Sequence, residues 1–242
     1  MYVQCDASQL EWRVLNWLAN DPVGLRELNE EIDVHSANQK AFNLPTRLIS
    51  KKYLFRTIYR GSGWSFANDP DFMGVSDDPD FWDEINRKFY DKYKGIDKYH
   101  RNLADLVIRN KPICSPLGRE WLVGLKENGM IPWTVLTNYP VQGTGNDLLA
   151  ITRISLRKNM NEKKMRSLLV STVHDSIVAD CPEEEAKDVA NLMYDVFDIY
   201  LPKNVKAIWN IDLPCKFPCE VKIGPNLKDM DKYQKQGIDR QD

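Results

Sequence analysis

Residues 170–181 read VSTVHDSIVADC. Two β-rich runs, 168–173 and 176–180, meet at His174-Asp175, which predicts a tight hairpin with this pair at its tip. A charge between two apolar runs is costly to desolvate, so the pair needs a partner. A second carboxylate has a matching place: the strand-like run YVQC at 2–5 ends at Asp6. Two such aspartates brought together repel unless a cation lies between them. Mg²⁺ takes few protein carboxylates and completes its shell with substrate phosphates. Paired ions about 3.5–4 Å apart can activate an attacking oxygen and stabilise a leaving one. Taken singly, Asp6 also reads as the cap of the next helix, and Asp175 as an ordinary turn residue.

Outward from these two points the chain turns helical. After Asp6, the apolar positions Leu10, Val14, Leu15, Trp17 and Leu18 share one face, and Asp21-Pro22 is expected to stop that helix. Two further helices are predicted over 34–43 and 46–60, separated by Pro45, with Thr46 as N-cap of the second. Residues 62–80 are rich in Gly, Asp, Pro and Ser and read as an irregular connection. Trp82, Ile85, Phe89, Tyr93, Ile96, Tyr99, Leu103 and Leu106 then recur every three or four residues, predicting one long helix or two broken near Gly95. Residues 112–136 suggest a hairpin or loop, and 138–159 become helical. Pro182-Glu183-Glu184-Glu185 opens a last helix with acids in its first turn, and the polar tail from Lys228 is expected to fray. The pattern implies α+β: a small antiparallel sheet with a helical insertion between residues 24 and 110.

Composition sets limits on function. The 242 residues are 43 % hydrophobic and 28 % charged, ordinary for a globular protein, and no run is apolar enough to span a membrane. The opening MYVQCDASQLE has neither a basic n-region nor an apolar h-region, and five scattered cysteines suggest reduced thiols; both point to a cytoplasmic protein. Cys215 and Cys219 have no second pair and no nearby His, so zinc is not expected. A net charge of −2 argues against a uniformly basic nucleic-acid binder. Charge is local, however: Arg47, Lys51, Lys52, Arg56 and Arg60 fall in one stretch with no acid among them. Within it Arg47, Lys51, Phe55 and Tyr59 are spaced four apart, on one helical face. Cations followed by aromatics suit a nucleotide, phosphates at one end and base at the other; they equally suit a solvated basic half beside a packed aromatic half.

Read together, DASQLEWRVL (6–15), the Arg47-x-x-x-Lys51-x-x-x-Phe55-x-x-x-Tyr59 stripe, NYPVQGTGNDLL (138–149) and VHDS (173–176) occur in one order. With LGRE (117–120) and EVKIGPN (220–226), they closely resemble the C-terminal polymerase region of the family A, polymerase I-like DNA polymerases. The resemblance implies a right-hand polymerase fold without its thumb: palm from 1–23 and 111–242, fingers from 24–110. It implies Asp6, Asp175 and the carbonyl of Ala7 as ligands of two Mg²⁺ ions, with Mn²⁺ as a substitute. Arg47 and Lys51, helped by His35, would hold the deoxynucleoside triphosphate, and Lys51 would protonate the leaving pyrophosphate. Phe55 and Tyr59 would shape the base-pair pocket, and Glu11, beside Gln9, would crowd the sugar 2′ position. Asn138 and Gln142 would touch the minor groove of primer–template DNA, and His174 the primer-end backbone.

The chain departs from that pattern. Ser176 stands where most of the family has Glu, Leu54 replaces the usual Asn, and Arg56 and Arg60 replace glycines. His35 is only 12 residues before Arg47, which implies a shortened fingers segment. Thumb, early palm and exonuclease should precede Asp6; a separate chain, as in a split phage-type polymerase in a host cytoplasm, is expected to supply them, the alternatives being a missing N-terminal part in a subcloned fragment, or a relic. A non-catalytic fragment that binds primer–template or nucleotide is the alternative. A metal phosphohydrolase reading of His-Asp lacks further ligands, since only His35 and His100 remain.

Overall fold

The computed structural model describes residues 1–235. In chain order its elements are β1 (Tyr2–Ala7), α1 (Leu10–Ala19), α2 (Pro22–Asn29), α3 (Val34–Phe42), α4 (Arg47–Thr57), α5 (Gly63–Ala67), α6 (Pro79–Lys92) and α7 (Lys94–Ile108). There follow β2 (Ile113–Cys114), β3 (Glu120–Trp121), α8 (Trp133–Glu162), β4 (Leu168–Val173), β5 (Ser176–Asp180), α9 (Ala186–Asp195), α10 (Leu201–Trp209), β6 (Cys219–Gly224) and β7 (Asp231–Tyr233). The chain is α+β and forms two compact units, residues 1–10 with the chain from Gly145 onward, and residues 11–144.

The first unit is built on a five-stranded antiparallel sheet in the order β4-β5-β1-β6-β7. Side chains alternate between its faces. Val3, Cys5 and Ala7 of β1 are buried with Ile177, Ala179 and Val221 of the flanking strands. The helix α9 covers β1 and β6 with Val189, Ala190 and Met193, all buried. Burial of the Cys5 thiol pushes its pKa up to about 12, consistent with an inert packing role. Gln4, Asp6, Glu220 and Lys222 occupy the opposite, polar face. At one edge, β4 leaves five of its six residues exposed.

The second unit is helical around an aromatic core. Tyr53 of α4 stacks on Trp82 of α6 (ring centroids 6.2 Å apart), and Phe66 of α5 stacks on the same indole at 5.3 Å. Phe72 meets Trp82 edge-on at 5.0 Å, and Phe42 meets Tyr53 at 6.0 Å. Such edge and offset contacts add to plain area burial. The buried face of α4 is therefore Ser50, Tyr53, Leu54 and Thr57. That leaves its basic face outward.

Asp21 is fully buried, and four backbone N–H groups point at its carboxylate. Val23 and Gly24, opening α2, donate at 3.0 and 2.8 Å; Gly95 and Ile96, opening α7, donate at 2.7 and 3.3 Å. One carboxylate thus satisfies orphan donors of two helices. A Cβ on Gly95 would lie 2.7 Å from the Asp21 Cα. Asp21-Pro22 follows the end of α1, as expected, and also opens the next helix: Pro22 is the first residue of α2, where its missing N–H costs nothing.

Other boundaries moved for similar reasons. Residues 62–80 contain α5 and a 3₁₀ turn at Pro70–Phe72, each opened by a capping side chain, Ser62 or Asp69. The long apolar pattern breaks at Tyr93, between α6 and α7. The helix expected from 138 begins at Trp133 and contains Pro140. After α9 a π-turn at Val196–Tyr200 precedes Pro202, which has no N–H to continue an α-helical ladder. The tail expected to fray from Lys228 forms β7 against β6, and residues 236–242 lie outside the described residues.

Candidate active site

In the sheet unit, strand register sets the carboxylate pair. Val173 pairs with Ser176 across β4 and β5, leaving His174 and Asp175 as the two-residue tip. His174 takes φ +53°, the left-handed conformation that such hairpin loops need. Asp6 pairs with Ser176, one residue from the tip, and the Ala7 N–H donates to the Asp175 carbonyl at 3.0 Å. Burial, and next the charge of Asp175, raise the pKa of the Asp6 carboxyl, while Lys222 opposes them. Glu220 pairs directly with Asp6 from β6, and Lys222 with Gln4. With Ser8 these four side chains line a cavity of about 220 Å³.

Two neighbouring carboxylates, with the ionised form of Asp6 disfavoured by Asp175, are a donor set for a hard cation. They fit one only with further oxygens from elsewhere, since no cluster of three or more ligating side chains occurs among the described residues. Ser176 is buried, and its hydroxyl donates to the Val173 carbonyl at 2.9 Å. It closes the hairpin. His174 is exposed.

In the helical unit, α4 presents Arg47, Lys51 and Phe55 along one face. Tyr59 lies beyond the last helical residue, Thr57, so the stripe expected over four turns is helical only through Phe55. The Lys51 ammonium sits 5.9 Å from the Phe55 ring centroid, and Phe55 is 38 % exposed, so this aromatic is not core. Behind it lies His35, buried, its ring 6.3 Å from that of Phe55. Burial, then the charge of Arg47, pushes the His35 pKa down to about 4. At neutral pH this imidazole is uncharged. The Arg47 guanidinium is held by Asp33, Nε to Oδ2 at 2.7 Å and Nη2 to Oδ1 at 3.1 Å. The pairing lowers the Asp33 pKa and raises that of Arg47.

A third group gathers Glu11, Tyr59 and Gln142. The Gln142 amide donates to the Glu11 carboxylate at 3.2 Å. Burial, and next the Glu11 charge, raise the pKa of the half-buried Tyr59 hydroxyl. Asn138 stands one turn before Gln142 on α8. Gln9, at φ +53°, forms the turn between β1 and α1. The extra cations are occupied: Arg56 pairs with Asp69 and Asp71, Lys52 with Asp71 at 2.7 Å, and Arg60 lies 4.1 Å over the Trp133 ring. Asp33, Glu220 and Lys222 escaped the sequence reading. Asp33 had a local signal, an Asp three residues before Ser36 at a helix start. The alternation in EVKIG marked Glu220 and Lys222 as one face without saying which.

The sequence matches the family described as DNA polymerase family A over residues 1–229. DNA polymerase I of Chloroflexus aurantiacus is 24 % identical over 241 residues, covering 95 % of this chain and 24 % of the relative. The DNA polymerase of Bacillus phage SP01 is 26 % identical over 262 residues, covering 98 % of this chain and 27 % of the relative. The chain thus spans about a quarter of the length of these relatives. Among solved structures, the POL domain of Pol1 from M. smegmatis, in complex with DNA primer-template and dNTP, superposes with a TM-score of 0.76. The match is 19 % identical and covers 91 % of this chain and 38 % of that one. The chain belongs to DNA polymerase family A.

Proposed function

We propose that the chain is the catalytic portion of a DNA-templated DNA polymerase, adding deoxynucleotides to a primer 3′ end. The observation that carries this reading is the placement of Asp6 beside Asp175 by strand register, within a chain of this family. Asp6, Asp175 and the Ala7 carbonyl would hold divalent metal, with Mg²⁺ as the ion and Mn²⁺ as a substitute. Metal bound there would neutralise phosphate charge and favour ionisation of the primer hydroxyl.

The chain's own residues supply positioning. Arg47 and Lys51 bind the phosphates as fixed cations, and Lys51 donates a proton to the leaving pyrophosphate. His35, neutral by burial, supports Phe55 and offers at most one N–H to phosphate. Phe55 and Tyr59 stack against and bound the nascent pair. Glu11, fixed by the Gln142 amide and flanked in sequence by Gln9, crowds the 2′ position. Asn138 and Gln142 accept and donate in the minor groove, where every base pair offers similar acceptors. His174, on its exposed turn, contacts the primer-end backbone.

The palm corresponds to residues 1–23 and 111–242 and the fingers to 24–110. The thumb, the early palm and an exonuclease would come from a separate chain or from a further N-terminal part of the same one. The exposed β4 edge offers such a partner a strand to pair with, because an unpaired strand edge is a template for pairing. Primer extension with Mg²⁺, with and without such a partner, tests the whole reading. Asp6→Asn and Asp175→Asn should each abolish extension while DNA binding persists. Extension that survives both changes refutes it. A chain that only binds primer–template is the second reading, and predicts no extension under any condition.

A further inference from the structure

The fork between Asp33 and Arg47 uses one edge of the guanidinium and leaves the other open. A guanidinium carries five N–H donors in a planar array and can grip two oxyanions at once, one along each two-point edge. Asp33 occupies the Nε and Nη2 edge. No hydrogen-bond or ion-pair partner of Nη1 occurs among the described residues.

Asp33 is itself immobilised. It is the N-cap of α3: its Oδ1 accepts from the backbone N–H groups of His35 at 3.2 Å and Ser36 at 3.5 Å. Its Oδ2 accepts from the Ser36 hydroxyl at 2.7 Å. The start of α3 therefore fixes a carboxylate, and that carboxylate fixes a long side chain springing from the first residue of α4. A free arginine would spend most of its time in other rotamers. Held this way, Arg47 stays half-exposed one turn before Lys51 on the same helix face.

We propose that Asp33 is a positioning residue for triphosphate capture, clamping one edge of the Arg47 guanidinium so that the other edge receives phosphate. The proposal rests on reading Arg47 as a phosphate ligand. It distinguishes Asp33 from a mere competitor, which phosphate would have to displace and whose loss would strengthen binding.

The test uses inorganic tripolyphosphate, titrated calorimetrically into the full chain, so that only the phosphate end is probed. Asp33→Asn keeps the helix cap, since Asn caps as well as Asp, but removes the charge that grips Arg47. It should weaken tripolyphosphate binding about 5- to 10-fold, with the thermal midpoint little changed. In primer extension the same variant should raise KM for the nucleotide and leave kcat near wild type. Arg47→Lys cannot form the two-point fork, so adding Asp33→Asn to it should cost nothing further. Binding by Asp33→Asn that is unchanged or tighter overturns the proposal, as does full additivity in the double variant. If Arg47→Ala binds tripolyphosphate as well as wild type, the phosphate reading of Arg47 fails instead.

Discussion

Asp6→Asn should make the metal-free protein more stable, not less, at neutral pH. The Asp6 carboxyl has its pKa raised by burial and next by the charge of Asp175. A carboxyl with a raised folded pKa favours folding while protonated. Its contribution is fully present below the unfolded pKa and is lost as pH rises through the folded value. Wild type loses it as pH rises, whereas the neutral, isosteric amide never does. Two like charges about 4 Å apart cost about 1 kcal/mol at the dielectric of water and more in a drier setting. The Asp6 carboxyl is only partly desolvated, the residue remains open to solvent, and Lys222 opposes the repulsion, so screening holds the gain near the low limit, about 1 kcal/mol.

For a chain of this size that is about 2–4 °C in Tm. The assay is thermal unfolding in EDTA and in Mg²⁺. Wild type should gain on adding Mg²⁺, about 1.4 kcal/mol at ten times the Kd, whereas Asp6→Asn should start higher and gain little. As pH falls through the Asp6 folded value toward its unfolded one, the difference should shrink. An Asp6→Asn variant less stable than wild type in EDTA at pH 7.5 would refute the reasoning, because the carboxylates would then be satisfied without metal.

Three further outcomes follow from the helical unit. Asp21→Ala should cost about 3 kcal/mol in urea denaturation, since it strips donors at two helix starts; a loss under 1 kcal/mol would show that water replaces the carboxylate. Gly95→Ala should destabilise by about 1–3 kcal/mol despite the better helix propensity of Ala, because the new methyl meets backbone at 2.7 Å. His35 and His100, held down to about 4 and about 3, should show no imidazole titration above pH 5 by NMR. Both stay neutral in the fold, so they contribute stability above pH 6.5 that is lost as pH falls through that value toward 4. A midpoint near 6.5 for either would place it in water.

The hairpin at 168–180 and strand β1 were legible because short β-rich runs ended by a polar break leave few alternatives. The two-residue tip at His174-Asp175 followed directly. What hid from the sequence was long-range satisfaction of polar groups. Asp21 reads as a stop signal until Gly95, far along the chain, is seen donating to it. Arg56 and Lys52 read only as members of a basic stretch until Asp69 and Asp71 claim them. Tyr59 shares the spacing of Arg47, Lys51 and Phe55, yet the helix ends before it, and propensity does not mark that end. Glu220 and Lys222 became neighbours of Asp6 only through pairing of β6 with β1.

That pairing has a consequence for how this family's chemistry can vary. Strands slide past one another only in whole-residue steps, and a single step exchanges the two faces of a strand. A slip of β1 would drive Asp6 into the packing under α9 and lift Val3, Cys5 and Ala7, now at most 2 % exposed, into water. The alignment of the carboxylates is therefore policed from behind, by residues that never meet a substrate. The polar side of the sheet is free to change its charges one at a time, as Ser176 illustrates, without the strands losing their place.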